Sequence, residues 1–320
     1  MRAPQGHTGA FRFEDGTTVV FAARDDGCLR VVRSDGRVGK VCPSLERAGS
    51  YVGASRFSGK GPDPIDVTFE AERLTLSWGE KSQRPAKRVP DRRVDVSFFA
   101  SDKRELSGEL IVPPGTSPVP VIVHVGGSER SGAVGQVWLP YMLAAHGVAS
   151  FVYDKRGVGG SEGEYSQDLH LLGADAEEAI KAARGAIGER LGAVGIIGFS
   201  QGGWVAPLAA ASTKVDAVAV GFGLAVSPLR EEVSEVTARI ANAGHNEAIV
   251  AAAGEFAEQC ARVANTDFAE GVDQLGAMKA DAERDGWLGD VGGDGITGAL
   301  AQNPVFFVDL LWGLFDTDTT

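Results

Sequence analysis

Four short apolar runs, PVIVHV, VASFVYD, VGIIGFS and AVAVGFG, constrain the fold of this 320-residue chain more than any other feature. Near-continuous apolar runs of this length are typical of parallel strands in a sheet that is covered on both faces. Segments of helical composition alternate with them, at residues 133–146, 175–190 and 201–212. Alternation of strands and helices predicts an α/β fold with a doubly wound, mostly parallel sheet. A hairpin, VDVSFFA with ELSGELIVPP, is predicted to precede it.

Residues 1–88 have a different pattern. Short apolar stretches such as TTVVFAA and CLRVVR are separated by the turn sequences DDG and SDG. Glycine supplies the positive φ that tight hairpin turns require, so the pattern predicts a small antiparallel β domain. The polar, basic segment Glu80–Arg93 contains two prolines and is typical of a linker.

The sequence after Pro228 is helical in composition, with segments at Leu229–Ile240 and Asn246–Ala264. A helical insertion at this place in an α/β enzyme often covers the active site, so we expect a cap. The predicted domains are therefore a β domain at 1–88, an α/β core at 89–226 and a helical cap at 227–320. The chain is expected to end before the last core strands.

Composition excludes several classes of function. The formal net charge is −12 and there is no long Lys/Arg cluster, which argues against nucleic acid as a partner. No run of about 18 apolar residues is present to span a membrane, so a membrane partner is not expected either. The N-terminal sequence has no recognisable signal peptide, so the cytoplasm is the default expectation. A periplasmic or secreted location is the alternative if a leader is missing from the sequence.

The three cysteines, Cys28, Cys42 and Cys260, are far apart in the sequence and show no CxxC spacing. The spacing indicates neither a zinc site nor a disulfide framework. We expect three free, buried thiols, because free cysteine is most often a small buried hydrophobe. No metal and no cofactor are expected.

The sequence GFSQGG places Ser200 between Gly198 and Gly202, directly after the apolar run that precedes it. With 43 glycines in the chain, such a match can arise by chance, but here it lies where a strand turns into a helix. This is the setting of a nucleophile elbow, in which the serine has a strained backbone and its glycine neighbours leave room for other backbone. We therefore predict that Ser200 is a nucleophile. The alternative is an ordinary glycine-rich turn.

A second motif, GGSER at residues 126–130, follows the strand PVIVHV. It should lie at the same sheet edge as Ser200, because the carboxyl ends of parallel strands meet there. An oxyanion hole needs one amide after the nucleophile and one from such a loop. We assign these to Gln201 and Ser128, with Gly127 allowing close approach; a simple tight turn is the alternative.

A third motif, YDKRGVGGSEG at residues 153–163, follows the strand VASFVYD. We interpret it as part of the site's architecture, with Asp154 and Arg156 pairing with backbone groups and with each other. It lacks the spacing of the known phosphate-binding loops.

GGSER, YDKRGVGGSEG and GFSQGG, in this order, resemble the α/β-hydrolase superfamily. More narrowly, the chain resembles bacterial serine hydrolases of the esterase, dienelactone-hydrolase and prolyl-oligopeptidase-like group with an N-terminal β domain and a helical cap. The resemblance implies Ser200 as nucleophile, the Gln201 and Ser128 amides as oxyanion donors, a small-molecule acyl substrate and no cofactor. One departure is Gly126, where such relatives usually have histidine; His124 lies two residues earlier.

A catalytic base is the missing part, since a serine hydroxyl needs a histidine held by a carboxylate. The superfamily order is Ser, acid, His, yet the last histidine is His245, at a break between two predicted helices. His245 remains a candidate base and Asp316 a candidate acid, while His124 is expected to be a hydrogen-bonded core residue. We expect a C-terminally truncated serine hydrolase with little or no activity. The alternatives are an inactive binding protein of this fold and an acyl-CoA thioesterase or acyltransferase.

Overall fold

A computed structural model describes residues 5–79, 82–223, 226–266, 268–292 and 295–303. The chain divides into two compact units, residues 1–223 and 224–320. The first unit contains a β-barrel followed by a mixed sheet with helices, and the second is helical. Each of these parts has its own cluster of buried apolar side chains.

The N-terminal part is a closed barrel of eight antiparallel strands in sequence order. The strands are β1 (Gly9–Phe13), β2 (Thr18–Ala23), β3 (Leu29–Arg33), β4 (Val38–Pro43), β5 (Ser50–Ser55), β6 (Pro64–Glu70), β7 (Arg73–Trp78) and β8 (Arg84–Arg88). Alternate side chains fill the interior with aromatic and branched residues, among them Phe11, Phe21 and Phe69. The predicted small antiparallel β domain is confirmed, and closure leaves no open sheet edge.

The linker predicted at Glu80–Arg93 is wrong, because this segment contains β8 and the start of the next strand. Ala86 lies between Phe13 of β1 and Leu74 of β7 and is buried. The strand closes the barrel by backbone hydrogen bonds to both neighbours. Its side chains are mostly polar because most of them point away from the barrel interior, which is why composition alone suggested a linker.

Two of the three cysteines form a disulfide, so the prediction of three free thiols is wrong. Cys28 and Cys42 are bonded, with their Cα atoms 4.2 Å apart. The register of β3 and β4 pairs Leu29 with Val41 and so places the two cysteines opposite each other. Sequence spacing could not show this pairing. Cys260 is free and buried, as expected.

The second part of this unit is a six-stranded sheet with the order β14-β13-β11-β12-β10-β9. The strands are β9 (Arg92–Phe99), β10 (Glu105–Val112), β11 (Val119–Val125), β12 (Ala149–Tyr153), β13 (Leu191–Phe199) and β14 (Ala217–Gly221). Strands β11 to β14 are parallel to one another, and the β9–β10 hairpin adds antiparallel strands at one edge. The fold is the predicted α/β-hydrolase type, a mostly parallel sheet with helices.

Three helices accompany the sheet, α1 (Leu139–Ala145), α2 (Leu169–Ile187) and α3 (Gly202–Ser212). Asp168 caps α2 by accepting hydrogen bonds from two backbone N–H groups of its first turn. Helix α1 begins six residues later than the predicted start at 133. The backbone at residues 133 and 134 is held by hydrogen bonds to Asp154, and residues 133–137 form a turn instead of a helix.

The second unit contains α4 (Pro228–Asn242), α5 (Glu247–Asn265), α6 (Val272–Arg284) and α7 (Ile296–Gln302). Ser227 and Asn246 cap the first two of these helices. Phe256, Trp287 and Leu275 belong to its buried core. The helical composition is as predicted. None of the helices in the described ranges is long and apolar enough to cross a bilayer.

Candidate active site

Ser200 lies at the sharp turn between the end of β13 and the start of α3. Its φ is +52°, in the left-handed region that non-glycine residues seldom occupy. Its N–H donates to the Gly221 carbonyl at 3.0 Å, and its carbonyl accepts from the Gly203 N–H at 2.7 Å. These bonds hold the strained backbone, and the residue is exposed to solvent. A strained, exposed serine is the geometry that a nucleophile elbow requires.

The glycines around Ser200 are required by close backbone packing. A Cβ atom at Gly198 would lie 1.8 Å from the Gly202 carbonyl oxygen. A Cβ atom at Gly202 would lie 2.5 Å from the Val125 carbonyl oxygen. No side chain fits at either position, so the GxSxG spacing follows from how tightly β11, β13 and α3 pack.

Two backbone N–H groups beside Ser200 are without an acceptor among the described residues. They are the amides of Gln201, at the N-terminus of α3, and of Ser128, in the loop after β11. The first turn of a helix has unpaired N–H groups and a partial positive charge. Gly127 brings the loop close, since a Cβ atom there would lie 3.4 Å from the Ser200 Cβ. The arrangement can stabilise negative charge that develops next to Ser200.

The Glu129 carboxylate, which the sequence did not single out, folds back onto the glycines of this loop. Its Oε1 accepts a hydrogen bond from the Gly127 N–H at 3.3 Å. Its Oε2 lies 2.7 Å from the point that a Cβ atom on Gly127 would occupy. The Gly127 N–H, one residue from Ser128, is therefore already bonded to a carboxylate.

Lys155 connects the loop to the elbow, a role that sequence reasoning missed. Its buried ammonium donates to the Gly127 carbonyl and, at 3.4 Å, to the side-chain carbonyl of Gln201. Burial lowers the pKa of Lys155. The Tyr165 hydroxyl donates to the Ser128 carbonyl at 2.6 Å, and its ring lies 5.3 Å from the Lys155 ammonium. Lys155 and Tyr165 thus hold the Gly127–Ser128 loop, and Lys155 also contacts Gln201 at the elbow.

Asp154 is part of the site's architecture, as expected. Its buried carboxylate accepts hydrogen bonds from the N–H groups of Ala133, Val134 and Gly160, at 2.6, 2.9 and 2.9 Å. It thereby connects the segment that follows the GGSER loop to the YDKRG loop. Asp154 binds backbone N–H groups of residues 133 and 134, so the side chains of this segment do not indicate the contact in the sequence.

Arg156 does not pair with Asp154, so that part of the prediction is wrong. Its guanidinium makes two bonds to the buried Asp175 of α2, at 2.6 and 2.7 Å, and one to Asp102 at 2.9 Å. The hydrogen bonds to these carboxylates raise the pKa of Arg156. Asp175 is 21 residues beyond Asp154 in sequence, and only the packing of α2 on the sheet brings it to Arg156.

The Ser200 hydroxyl has no hydrogen-bond partner among the described residues. His245 lies in the second unit, where its Nε2 is 2.8 Å from the Asp290 carboxylate. Its role as a base remains a prediction, and Asp316 lies outside the described residues. His124 is buried as expected, but neither of its nitrogens has a hydrogen-bond partner in the part of the chain that the structure describes, which corrects the expectation of a hydrogen-bonded histidine.

No cluster of three or more potential metal ligands occurs within the described parts of the chain.

The comparison with protein families decides the relationship. The model of the X-Pro dipeptidyl-peptidase (S15) family matches residues 102–285, more than half of the chain. The chain belongs to this family. The S15 family consists of hydrolases with the α/β-hydrolase fold. The matched range includes all three motifs, GGSER, YDKRGVGGSEG and GFSQGG, but not the barrel.

Several solved structures are similar to this S15-family chain over part of their length. The Pyrococcus furiosus esterase Pf2001 is 21% identical, with a TM-score of 0.38 over 50% of this chain and 60% of that one. The α/β hydrolase GrgF from Penicillium sp. sh18 is 24% identical, with a TM-score of 0.34 over 47% of this chain and 54% of that one. A puromycin hydrolase is 15% identical, with a TM-score of 0.33 over 65% of this chain and 51% of that one.

The S15-family chain therefore spans between 51% and 60% of the length of these structures. Among proteins of curated function, none matches the sequence.

Proposed function

We propose that this protein is a serine hydrolase that cleaves a carboxylic ester, thioester or amide through an acyl-enzyme on Ser200. The observation that carries the proposal is the exposed Ser200 with φ of +52°, beside the amides of Gln201 and Ser128, which have no acceptor among the described residues. Membership of a peptidase family supports amides among the substrates.

The reaction proceeds in two steps. The Ser200 oxygen attacks the acyl carbon and its proton passes to a base, while the Gln201 and Ser128 N–H groups donate to the oxygen that becomes negative. The base then gives this proton to the leaving group, so that collapse expels the alcohol, thiol or amine and leaves an ester on Ser200. Water then attacks this ester and releases the acid. We keep His245 as the candidate base and Asp316 as the candidate acid, and the helical second unit as the candidate cap.

Labelling by a fluorophosphonate tests the nucleophile. We expect the wild-type chain to be labelled on Ser200, and the Ser200→Ala variant to remain unlabelled under the same conditions. Peptide mapping of the adduct identifies the modified residue. Equal labelling of the two proteins, or no labelling of the wild type, contradicts the proposal.

The absence of a hydrogen-bond partner for the Ser200 hydroxyl among the described residues favours a second candidate, a non-catalytic protein of this fold that binds a small molecule. The two candidates differ in turnover. Hydrolysis of p-nitrophenyl acetate above background, lost in Ser200→Ala, excludes the binding protein. An acyl-CoA thioesterase or acyltransferase differs from the main proposal only in acyl donor or acceptor.

We also propose an oxidising compartment, the periplasm or the extracellular medium, in place of the cytoplasmic default. The Cys28–Cys42 disulfide supports this, because disulfides persist mainly in such compartments. Alkylation at cell lysis tests it. Blocking of Cys28 and Cys42 by the reagent, in protein from the native source, would contradict the proposal.

A further inference from the structure

A cleft of about 440 Å³ lies between the barrel and the segment that follows β11. The barrel contributes the end of β2 and the turn into β3, and the opposite wall is the segment from Glu129 to Val137. A backbone hydrogen bond from Ala23 to Gly135 joins the two walls. Both walls belong to the compact unit of residues 1–223.

Most charged groups of the cleft are already paired. Asp26 is bonded to Lys40 at 2.6 Å and to Arg24 at 3.3 Å. Asp25 accepts from the Gln136 amide at 2.7 Å. The Glu129 carboxylate accepts from the Gly127 N–H. Each carboxylate that lines the cleft therefore already has a hydrogen-bond donor.

Arg30 is the exception. Its guanidinium makes no hydrogen bond or ion pair with any residue that the structure describes, and its Nε is buried without a partner. The guanidinium lies 5.4 Å from the centroid of the half-exposed Phe57 ring, which orients it. Burial lowers the pKa of Arg30, and the nearby Glu129 charge opposes this. A buried N–H group without an acceptor costs free energy, and an anion bound to the guanidinium would satisfy it.

The cleft reaches the candidate active site through Glu129. This residue lines the cleft, and its carboxylate contacts Gly127, which is next to Ser200. Glu129 is thus the residue that a substrate with its acyl carbon at Ser200 would pass to reach Arg30.

We propose that Arg30 binds a carboxylate of the substrate, so that the esters or amides cleaved at Ser200 have a second, anionic end. The planar guanidinium fork fits a carboxylate through two parallel N–H···O bonds, which Lys cannot form. The proposal rests on the proposed function, since it names the substrate class of the same site.

Binding without turnover tests this subsite. In the Ser200→Ala background, calorimetry compares monomethyl glutarate, which has one carboxylate and one ester, with the neutral dimethyl glutarate. We expect the monoester to bind more tightly, and Arg30→Gln to weaken its binding by about tenfold or more, the size of a charge-assisted hydrogen bond. Arg30→Lys should give an intermediate loss.

Arg73→Gln, at an exposed position on β7 of the same barrel, is the matched control and should leave binding unchanged. Circular dichroism confirms that each variant is folded. Equal affinity for the two esters, or an unchanged affinity in Arg30→Gln, overturns the proposal. The binding measurements use the Ser200→Ala background and do not depend on turnover. Failure of fluorophosphonate labelling in the wild type would therefore contradict the proposed hydrolase activity without changing the binding result.

Discussion

Lys155 shows how a single buried charge can shape the candidate site. We expect Lys155→Met to leave the Gly127 carbonyl and the Gln201 side chain without this donor. The free energy of unfolding should fall by about 2 kcal/mol, the cost of unsatisfied buried polar groups. Phosphonylation of Ser200 should also slow, because the loop of Gly127 and Ser128 is no longer fixed to the elbow. Denaturant unfolding and the labelling rate measure the two effects.

The control for this change is Lys181→Met, which removes an exposed lysine that pairs with Glu178 on α2. Exposed ion pairs contribute little, so we expect less than about 0.5 kcal/mol and no change in labelling. Equal effects of the two substitutions would show that Lys155 has no special role.

His124 should make stability depend on pH. Burial lowers its pKa from 6.5 to about 3, so the folded protein keeps the imidazole neutral where the unfolded chain protonates it. The free energy of unfolding is therefore highest above pH 6.5 and decreases as the pH falls towards 3, because protonation favours the unfolded chain. Between pH 7 and pH 5 the loss should be about 2 kcal/mol.

The His124→Leu variant should lack this contribution, while His170→Leu, at an exposed position on α2, should retain it. Denaturant unfolding at pH 7 and at pH 5 gives the comparison. A constant difference between wild type and His124→Leu at the two pH values would argue against a neutral buried imidazole.

Among the elements, the junction of β13 and α3 has the least room. A Cβ atom at Gly202 would approach the Val125 carbonyl oxygen to 2.5 Å, so Gly202→Ala should destabilise the unit by about 3 kcal/mol through overpacking. Gly185→Ala, on the exposed face of α2 where an added Cβ meets nothing beyond the local helix backbone, should instead stabilise by about 0.5 to 1 kcal/mol. Thermal unfolding compares them, and a shift of the same sign in both would be inconsistent with the packing described.

The disulfide is the second feature at the scale of elements, since it joins β3 and β4 across a separation of 14 residues. Replacing Cys28 and Cys42 by serine should lower barrel stability by about 3 kcal/mol, because the unfolded chain gains freedom. Urea unfolding measures the loss. Thiol titration of the denatured, unreduced wild type should find only Cys260; three reactive thiols would contradict the pairing.

At the scale of the whole molecule, the two compact units have separate cores. We expect two calorimetric transitions. Phe256→Ala should shift only the transition of the helical unit, and Leu110→Ala only that of the first unit. Each should lower the free energy of unfolding of its unit by about 3 kcal/mol or more through cavity formation. A single transition that both variants shift equally would show that the units unfold together.

Sequence patterns were sufficient for the parallel strands, the helices of the second unit and the motifs, but not for strand β8 or the start of α1. Apolar runs predicted strands β11 to β14, and the caps Ser227 and Asn246 precede helices near the predicted positions. The same patterns singled out Ser200 and Gln201, because a sharp strand-to-helix turn has its own local residue requirements. Periodicity, turns and caps depend on neighbours in sequence, so they can be read without the fold.

Only the tertiary structure decided the partners. Arg156 binds Asp175 instead of Asp154, and Cys28 is bonded to Cys42. Lys155 reaches the Gly127 carbonyl, 28 residues away in sequence, and Arg30 is the cation of the cleft without a partner in the described structure. Such contacts depend on strand register, barrel closure and helix packing. They join residues whose separation in sequence has no relation to their distance in space.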